Sequence, residues 1–199
     1  MQIEKRESGI HIAIMPGEYY ATDQSAMIRT LLGSCVAACL YDPVNKVIGM
    51  NHFLLSNRRY AKEMPVCLSE AGRYGIHAME LLINEMLKKG ARKENLRAKA
   101  FGGAAMYRVS ETQDNYYFVG DVNVRFIREF LKNEKIPLMA EDLGGETGRI
   151  IHFLSDDYSV HLKRIWKISA STIGREEHQF WKKSIESQEK AKPQVDVWE

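Results

Sequence analysis

Three residues of this chain have types and spacing suited to covalent chemistry: Thr30, Cys35 and His52. Cys35 follows Gly33-Ser34 and opens an apolar run, Val36 to Tyr41, bounded by Asp42-Pro43. His52 arrives seventeen residues after the cysteine, within Gly49-Met50-Asn51-His52-Phe53. A thiolate attacks carbonyl carbon readily, and an imidazole beside it can take the thiol proton. Thr30 precedes the turn and could orient the imidazole, the third role in a triad. Gly33 and Ser34 place backbone N–H groups at a turn-to-strand junction, where such groups could hold an oxyanion. A lone cysteine is usually a small hydrophobe. The argument therefore rests on the pair, and on the two strands that carry it lying side by side.

Those strands must be supplied by the surrounding sequence. Val36 to Tyr41 is short, apolar and closed by turn chemistry at Asp42-Pro43-Val44-Asn45, which fits a buried strand. Lys46 to Leu55 reads as the return strand and carries His52. Upstream, Ile10 to Ile14 alternates as a strand, Pro16-Gly17 is a turn, Glu18 to Ala21 is a short strand, Asp23 to Ser25 a loop, and Ala26 to Leu32 leads into the cysteine. Downstream, 56–70 reads as a polar loop. Gly72 to Gly90 is the clearest helix, with Ile76, Met79, Ile83 and Met86 on one stripe that Leu82 and Leu87 widen. Lys88 and Lys89 suit its C-terminus and Gly90 the position just past it. Leu96 to Phe101 is a strand ending at Gly102-Gly103, a pair that lets the backbone come close either to a substrate or only to its own bend.

Tyr116 to Val119 reads as a strand, followed by a helix capped by Asp121 or Asn123, with Phe126, Ile127, Phe130 and Leu131 on one face. Ile136 to Ala140 is a strand, Glu141 to Gly148 a glycine-rich acidic turn, and Arg149 to Leu154 with Ser159 to Ile165 a closing hairpin. Strands around two helices give an α/β (α+β) class: a layered sandwich with two main helices packed on mixed sheets. Residues 1–167 form one domain, and 168–199 a charged C-terminal helix or tail.

Composition removes several classes of function. A formal net charge of +2 gives no field for nucleic acid or an anionic membrane. Three cysteines make no disulfide framework and suit a reducing, cytoplasmic compartment. No apolar run approaches a membrane span, and the first residues carry no apolar leader segment. Cys35-x3-Cys39 with His52 falls short of the four ligands of a structural zinc site. Glu141 and Asp142 are adjacent, and on a strand they would face opposite sides. No metal is expected. The glycine pair matches no nucleotide-binding fingerprint. Cys39 and Cys67 are read as structural, and Cys35 as the exposed, partly ionised thiol.

The motifs around these residues resemble the chemoreceptor glutamine deamidase family (CheD) of bacterial chemotaxis. The resemblance is carried by Thr30-Leu31-Leu32-Gly33-Ser34-Cys35-Val36, Tyr41-Asp42-Pro43 and Gly49 to Leu55. It continues through Tyr74-Gly75 with Ala78 to Ile83, Lys99 to Ala104, Glu141 to Gly145 and Gly148-Arg149. It spans about Gly17 to Lys163, in the family's order. It implies an α/β sandwich that hydrolyses selected receptor glutamine side chains to glutamate, releasing ammonia without a cofactor. The family's cysteine, histidine and threonine fall on Cys35, His52 and Thr30. Gly33, Ser34, Gly102 and Gly103 are candidates for substrate binding or oxyanion support. The implied substrate is the cytoplasmic helical region of chemotaxis receptors, reached through an open groove. A chemotaxis phosphatase is a further implied partner. The alternatives are a non-catalytic adaptor for receptors or that phosphatase, and a cysteine protease, for which no specificity pocket can be argued.

Overall fold

Residues of period-two character in the first third of the chain pair as strands, and the later strands close two sheets around them. The computed structural model describes residues 1–7, 9–55, 67, 70–105 and 119–165, those at 70 and 71 as backbone only. Ten strands are found there: β1 (Gln2–Arg6), β2 (Gly9–Ala13), β3 (Tyr19–Thr22), β4 (Ala26–Leu32), β5 (Val36–Asp42), β6 (Val47–Asn51), β7 (Arg97–Gly102), β8 (Leu138–Leu143), β9 (Gly148–Leu154) and β10 (Val160–Ile165). The helices are α1 (Glu70–Lys88) and α2 (Val119–Asn133). The first sheet runs β1-β2-β4-β9-β10 and the second β3-β6-β5-β7-β8. The β2/β4 and β7/β8 pairs are parallel and the others antiparallel, so both sheets are mixed.

The layers are sheet, sheet and helices. α1 packs on β3 and β6, and α2 on β5 and β7. One apolar core lies between the second sheet and the helices, and includes Val36, Leu40, Phe53, Met79 and Phe126. The other lies between the sheets, and includes Ile28, Leu32, Cys35, Cys39 and Phe153. β5 sits between the two, which explains its continuous apolar run: successive side chains alternate between the cores, and all seven residues are buried. The second sheet is thus the middle layer, and its central strand begins one residue after Cys35.

The layered α/β expectation holds, with local differences. β1 was not anticipated, because its residues are exposed and charged and it is held only as an edge partner of β2. Glu141 and Asp142 lie on β8, not in a turn, and the turn is Gly144-Gly145. α2 begins at Val119, so Asp121 falls in its first turn and Asn123 lies further in, fully buried. On α1, Met79, Leu82, Ile83 and Met86 are buried as expected, but Leu87 is exposed. The loop expected over 56–70 and the strand from Tyr116 fall largely outside the described residues, and 168–199 entirely so.

Candidate active site

β4 belongs to the first sheet and β5 to the second, so Gly33-Ser34-Cys35 is the chain's crossing between them. Three successive carbonyls of that crossing are held from one side. Gly33 accepts from the Ala104 N–H at 2.8 Å, and Cys35 from the Gly103 N–H at 2.7 Å. The Ser34 carbonyl accepts from Asn123 Nδ2 at 2.8 Å. Asn123 also accepts the Leu55 N–H at 2.9 Å, so one buried side chain of α2 ties the cysteine turn to the segment carrying His52. The Val36 N–H is engaged with the Phe53 carbonyl at 3.0 Å.

Gly102 and Gly103 sit directly behind this crossing. Both have positive φ, +116° and +72°. A Cβ on Gly102 would lie 2.1 Å from the Cys35 carbonyl oxygen, and one on Gly103 2.3 Å from Val124 Cγ2. Of the two readings left open for this pair, close approach within the fold is what is observed: Gly102 approaches the Cys35 backbone, and Gly103 the Val124 side chain of α2.

His52 lies just past β6 rather than within it. The Asn51 side chain explains the early end: its Oδ1 accepts the Ala38 N–H at 3.0 Å, where a ladder carbonyl would otherwise sit. The His52 backbone turns instead to the other side, donating to the Glu18 carbonyl and accepting from the Gly17 N–H. Pairing with β5 resumes at Val36 and Phe53. In that register Cys35 and His52 are diagonal neighbours on the face toward the first sheet, within reach of an imidazole.

Thr30 comes from the opposite sheet. Ala26, Ile28, Thr30 and Leu32 alternate inward along β4, and Thr30 is the one polar member of that row. Its Oγ1 lies 2.8 Å from the Ile14 carbonyl and 2.8 Å from His52 Nδ1. A carbonyl can only accept, so the single hydroxyl proton goes to Ile14. Nδ1 must then be the protonated nitrogen that donates to Thr30. The remaining lone pair is on Nε2, which is buried and has no hydrogen-bond partner among the described residues. Burial lowers the His52 pKa to about 3, so the ring is neutral and a proton acceptor. A buried polar atom left without a partner calls for an explanation.

The structure corrects one expectation. Cys35 is 0% exposed and His52 1% exposed, so the thiol is not an exposed group in an open groove. The crossing runs between two facing sheets, and that position buries it. None of the three cysteines is in a disulfide. Cys39 is buried, which pushes its thiol pKa up, and half-buried Cys67 is pushed up to about 11, first by burial and then by Glu129. Among the described residues no cluster of His, Cys, Asp and Glu is arranged to hold a metal ion, and no helix is long and apolar enough to cross a membrane.

Two contributors are not read from the sequence as part of the site. Asn123 carried a signal, a polar residue on the stripe of Val119, Phe126, Ile127 and Phe130, but read as a cap. Asn51, beside His52, carried none.

The family model described as "CheD chemotactic sensory transduction" matches residues 54–164. The chain is 50% identical over 195 residues to the "Probable chemoreceptor glutamine deamidase CheD 1" of Geobacter sulfurreducens, covering 98% of this chain and 97% of that protein. It is 44% identical over 190 residues to the "Probable chemoreceptor glutamine deamidase CheD 2" of Shewanella oneidensis, covering 94% of each. A similar protein from Herminiimonas arsenicoxydans, "Probable chemoreceptor glutamine deamidase CheD", is 42% identical over 167 residues, 84% of this chain and 79% of that protein.

Proposed function

The chain belongs to the chemoreceptor glutamine deamidase (CheD) family, and from that premise we propose that it hydrolyses glutamine side chains of chemotaxis receptors to glutamate, with Cys35 as nucleophile, His52 as general base and acid, and Thr30 as the group that orients His52. The observation that carries the reading is the Thr30–His52 bond, which leaves an unpartnered Nε2 on the sheet face that also bears Cys35. Burial keeps His52 neutral, so the resting imidazole is ready to accept a proton. As Sγ attacks the carboxamide carbon, Nε2 takes the thiol proton. The developing oxyanion is assigned to backbone N–H groups of the Gly33-Ser34-Cys35 turn, which is rigid because its carbonyls are fixed from behind. Collapse breaks the C–N bond, and His52 gives its proton to the departing amide nitrogen, releasing ammonia. Nε2 then takes a proton from water, the hydroxide attacks the thioester, and the thiolate leaves and recovers its proton from His52. No cofactor enters any step. Each turnover replaces an amide by a carboxylate and changes receptor charge by one unit.

The substrate in this reading is the cytoplasmic helical region of a receptor, which places the enzyme in the cytoplasm. A chemotaxis phosphatase is proposed as a second partner. The test is incubation with a receptor cytoplasmic fragment, following ammonia release and peptide mass. Glutamine-to-glutamate conversion that disappears in Cys35→Ala is expected. An unchanged rate in Cys35→Ala overturns the nucleophile assignment. Cleaved backbone would point to a protease, and stoichiometric binding without turnover to an adaptor.

A further inference from the structure

Three stretches picked out by the sequence supply none of the proposed covalent chemistry: Lys99 to Ala104, Glu141 to Gly145, and Gly148-Arg149. They meet behind Cys35. Arg149 lies on β9 opposite Leu32, the last residue of β4 before the crossing. Its side chain is only 1% exposed and reaches from the first sheet to the second. Nη1 donates to the Gly102 carbonyl, Nη2 donates to the Gly144 carbonyl at 2.6 Å, and Asp142 Oδ1 lies 3.0 Å from Nη2. The Gly144 N–H donates to the same Gly102 carbonyl at 2.8 Å. The next residue, Gly103, donates its N–H to the Cys35 carbonyl. An unbroken line of contacts thus runs from Asp142 through Arg149 and Gly102-Gly103 to the backbone of Cys35.

Stability alone is a poor reason for this arrangement, since burying a guanidinium carries a desolvation cost that one ion pair need not repay, and Asp142 is 26% exposed and shared with Arg164. Geometry is a better one. A guanidinium fork can hold two carbonyls and a carboxylate in fixed directions at once, which a lysine ammonium cannot. We propose that Arg149, itself anchored by Asp142, is a positioning residue that locks the Gly102-Gly103 bend against Cys35 and so fixes where the nucleophile stands. The proposal rests on the deamidase reading. With the fork removed, a bend whose two residues both have positive φ loses its clamp, and misplacing a reacting group by about 1 Å costs on the order of a hundredfold in rate.

The test combines turnover on a receptor fragment with amide hydrogen exchange in the full chain, which needs no substrate. In Arg149→Met the Gly103 amide is expected to exchange at least about tenfold faster while the Ile83 amide on α1 is unchanged. kcat is expected to fall by roughly a hundredfold with KM within about threefold. Arg149→Lys is expected to keep the fold yet lose at least about tenfold in kcat, and Asp142→Asn to move both readouts the same way by less. Met86→Ala, a destabilising change in the other core, should leave kcat within about twofold, separating positioning from general loss of stability. Unchanged Gly103 exchange in Arg149→Met, or faster exchange with kcat retained, overturns the proposal. If Arg149→Met does not fold, Arg149→Lys and Asp142→Asn decide by the same criteria. Absence of turnover in the unsubstituted protein would instead overturn the deamidase reading, and the rate claim with it, and is recognised because Gly103 protection is then still measurable.

Discussion

Thr30 carries the most argument for its size. Its hydroxyl links His52 Nδ1 to the Ile14 carbonyl, and it fixes the tautomer that leaves Nε2 as acceptor. Thr30→Val keeps the shape and removes the link. It leaves a buried N–H and a buried carbonyl without partners, at a cost of about 1–3 kcal/mol. Because the imidazole is no longer held in one tautomer, deamidation by Thr30→Val is expected to fall by about tenfold or more, while Thr30→Ser stays within a few-fold. Ammonia release by the two variants, with urea melts alongside, checks this; full activity in Thr30→Val would remove the orienting role. The identities of Cys35, His52 and Thr30 as a possible set were legible in the sequence because nucleophile, base and hydroxyl are recognisable by type. The burial of Cys35 was not. A glycine-serine-cysteine turn looks the same whether it opens to water or crosses between two sheets, and only the pairing of β4 with β9 and of β5 with β6 and β7 decides it.

At the level of elements, the strands and helices followed from local pattern, and what failed were the places where a distant partner sets the boundary. β6 stops at Asn51 because that side chain fills a ladder position on β5. Asn123 is inside α2, not at its cap, because Ser34 and Leu55 supply partners from elsewhere. Gly102 shows the same division. The glycine pair announced a close approach, but the identity of the approaching group depends on the β5/β7 register. The contact makes a sharp prediction. In Gly102→Ala the new Cβ meets the Cys35 carbonyl at 2.1 Å, a backbone atom that cannot step aside, and φ is +116°. A loss of more than about 3 kcal/mol is expected, with no turnover in whatever folds. Gly144→Ala also has a positive φ, +76°, but its Cβ meets nothing within 4 Å, so only the backbone cost of about 1–2 kcal/mol is expected. Denaturant melts of both decide it: equal losses would mean that the contact with Cys35 contributes nothing.

The molecule as a whole folds around a titratable group that it keeps uncharged. His52 lies between the two sheets with its pKa lowered to about 3 by burial, against about 6.5 in an unfolded chain. Folding therefore releases a proton at intermediate pH. The stability that depends on this is fully present above about pH 6.5 and is lost as pH falls from there toward 3. Between about pH 4.5 and 5.5 the unfolded chain holds that proton and the folded one does not, so this group alone should lower the unfolding free energy by about 1.4 kcal/mol per pH unit. Half-buried His152, lowered by burial and by Arg29, acts with the same sign on the outer face of the first sheet and will leave a residual slope. Buried Asp42 belongs to a lower window. Burial raises its pKa, but the hydrogen bonds from Asn45, Arg92 and Val44 outweigh that and hold it below the usual carboxylate range, so its contribution is lost only as pH drops through that range. Urea melts of the unsubstituted chain and of His52→Gln between pH 4.5 and 7.5 separate these effects. The two curves should run parallel near neutrality and diverge in slope below pH 6.5, by about 1.4 kcal/mol per unit. Equal slopes throughout would mean that His52 takes up its proton as readily in the folded state as in the unfolded one, and an imidazole held neutral by burial would have to be abandoned.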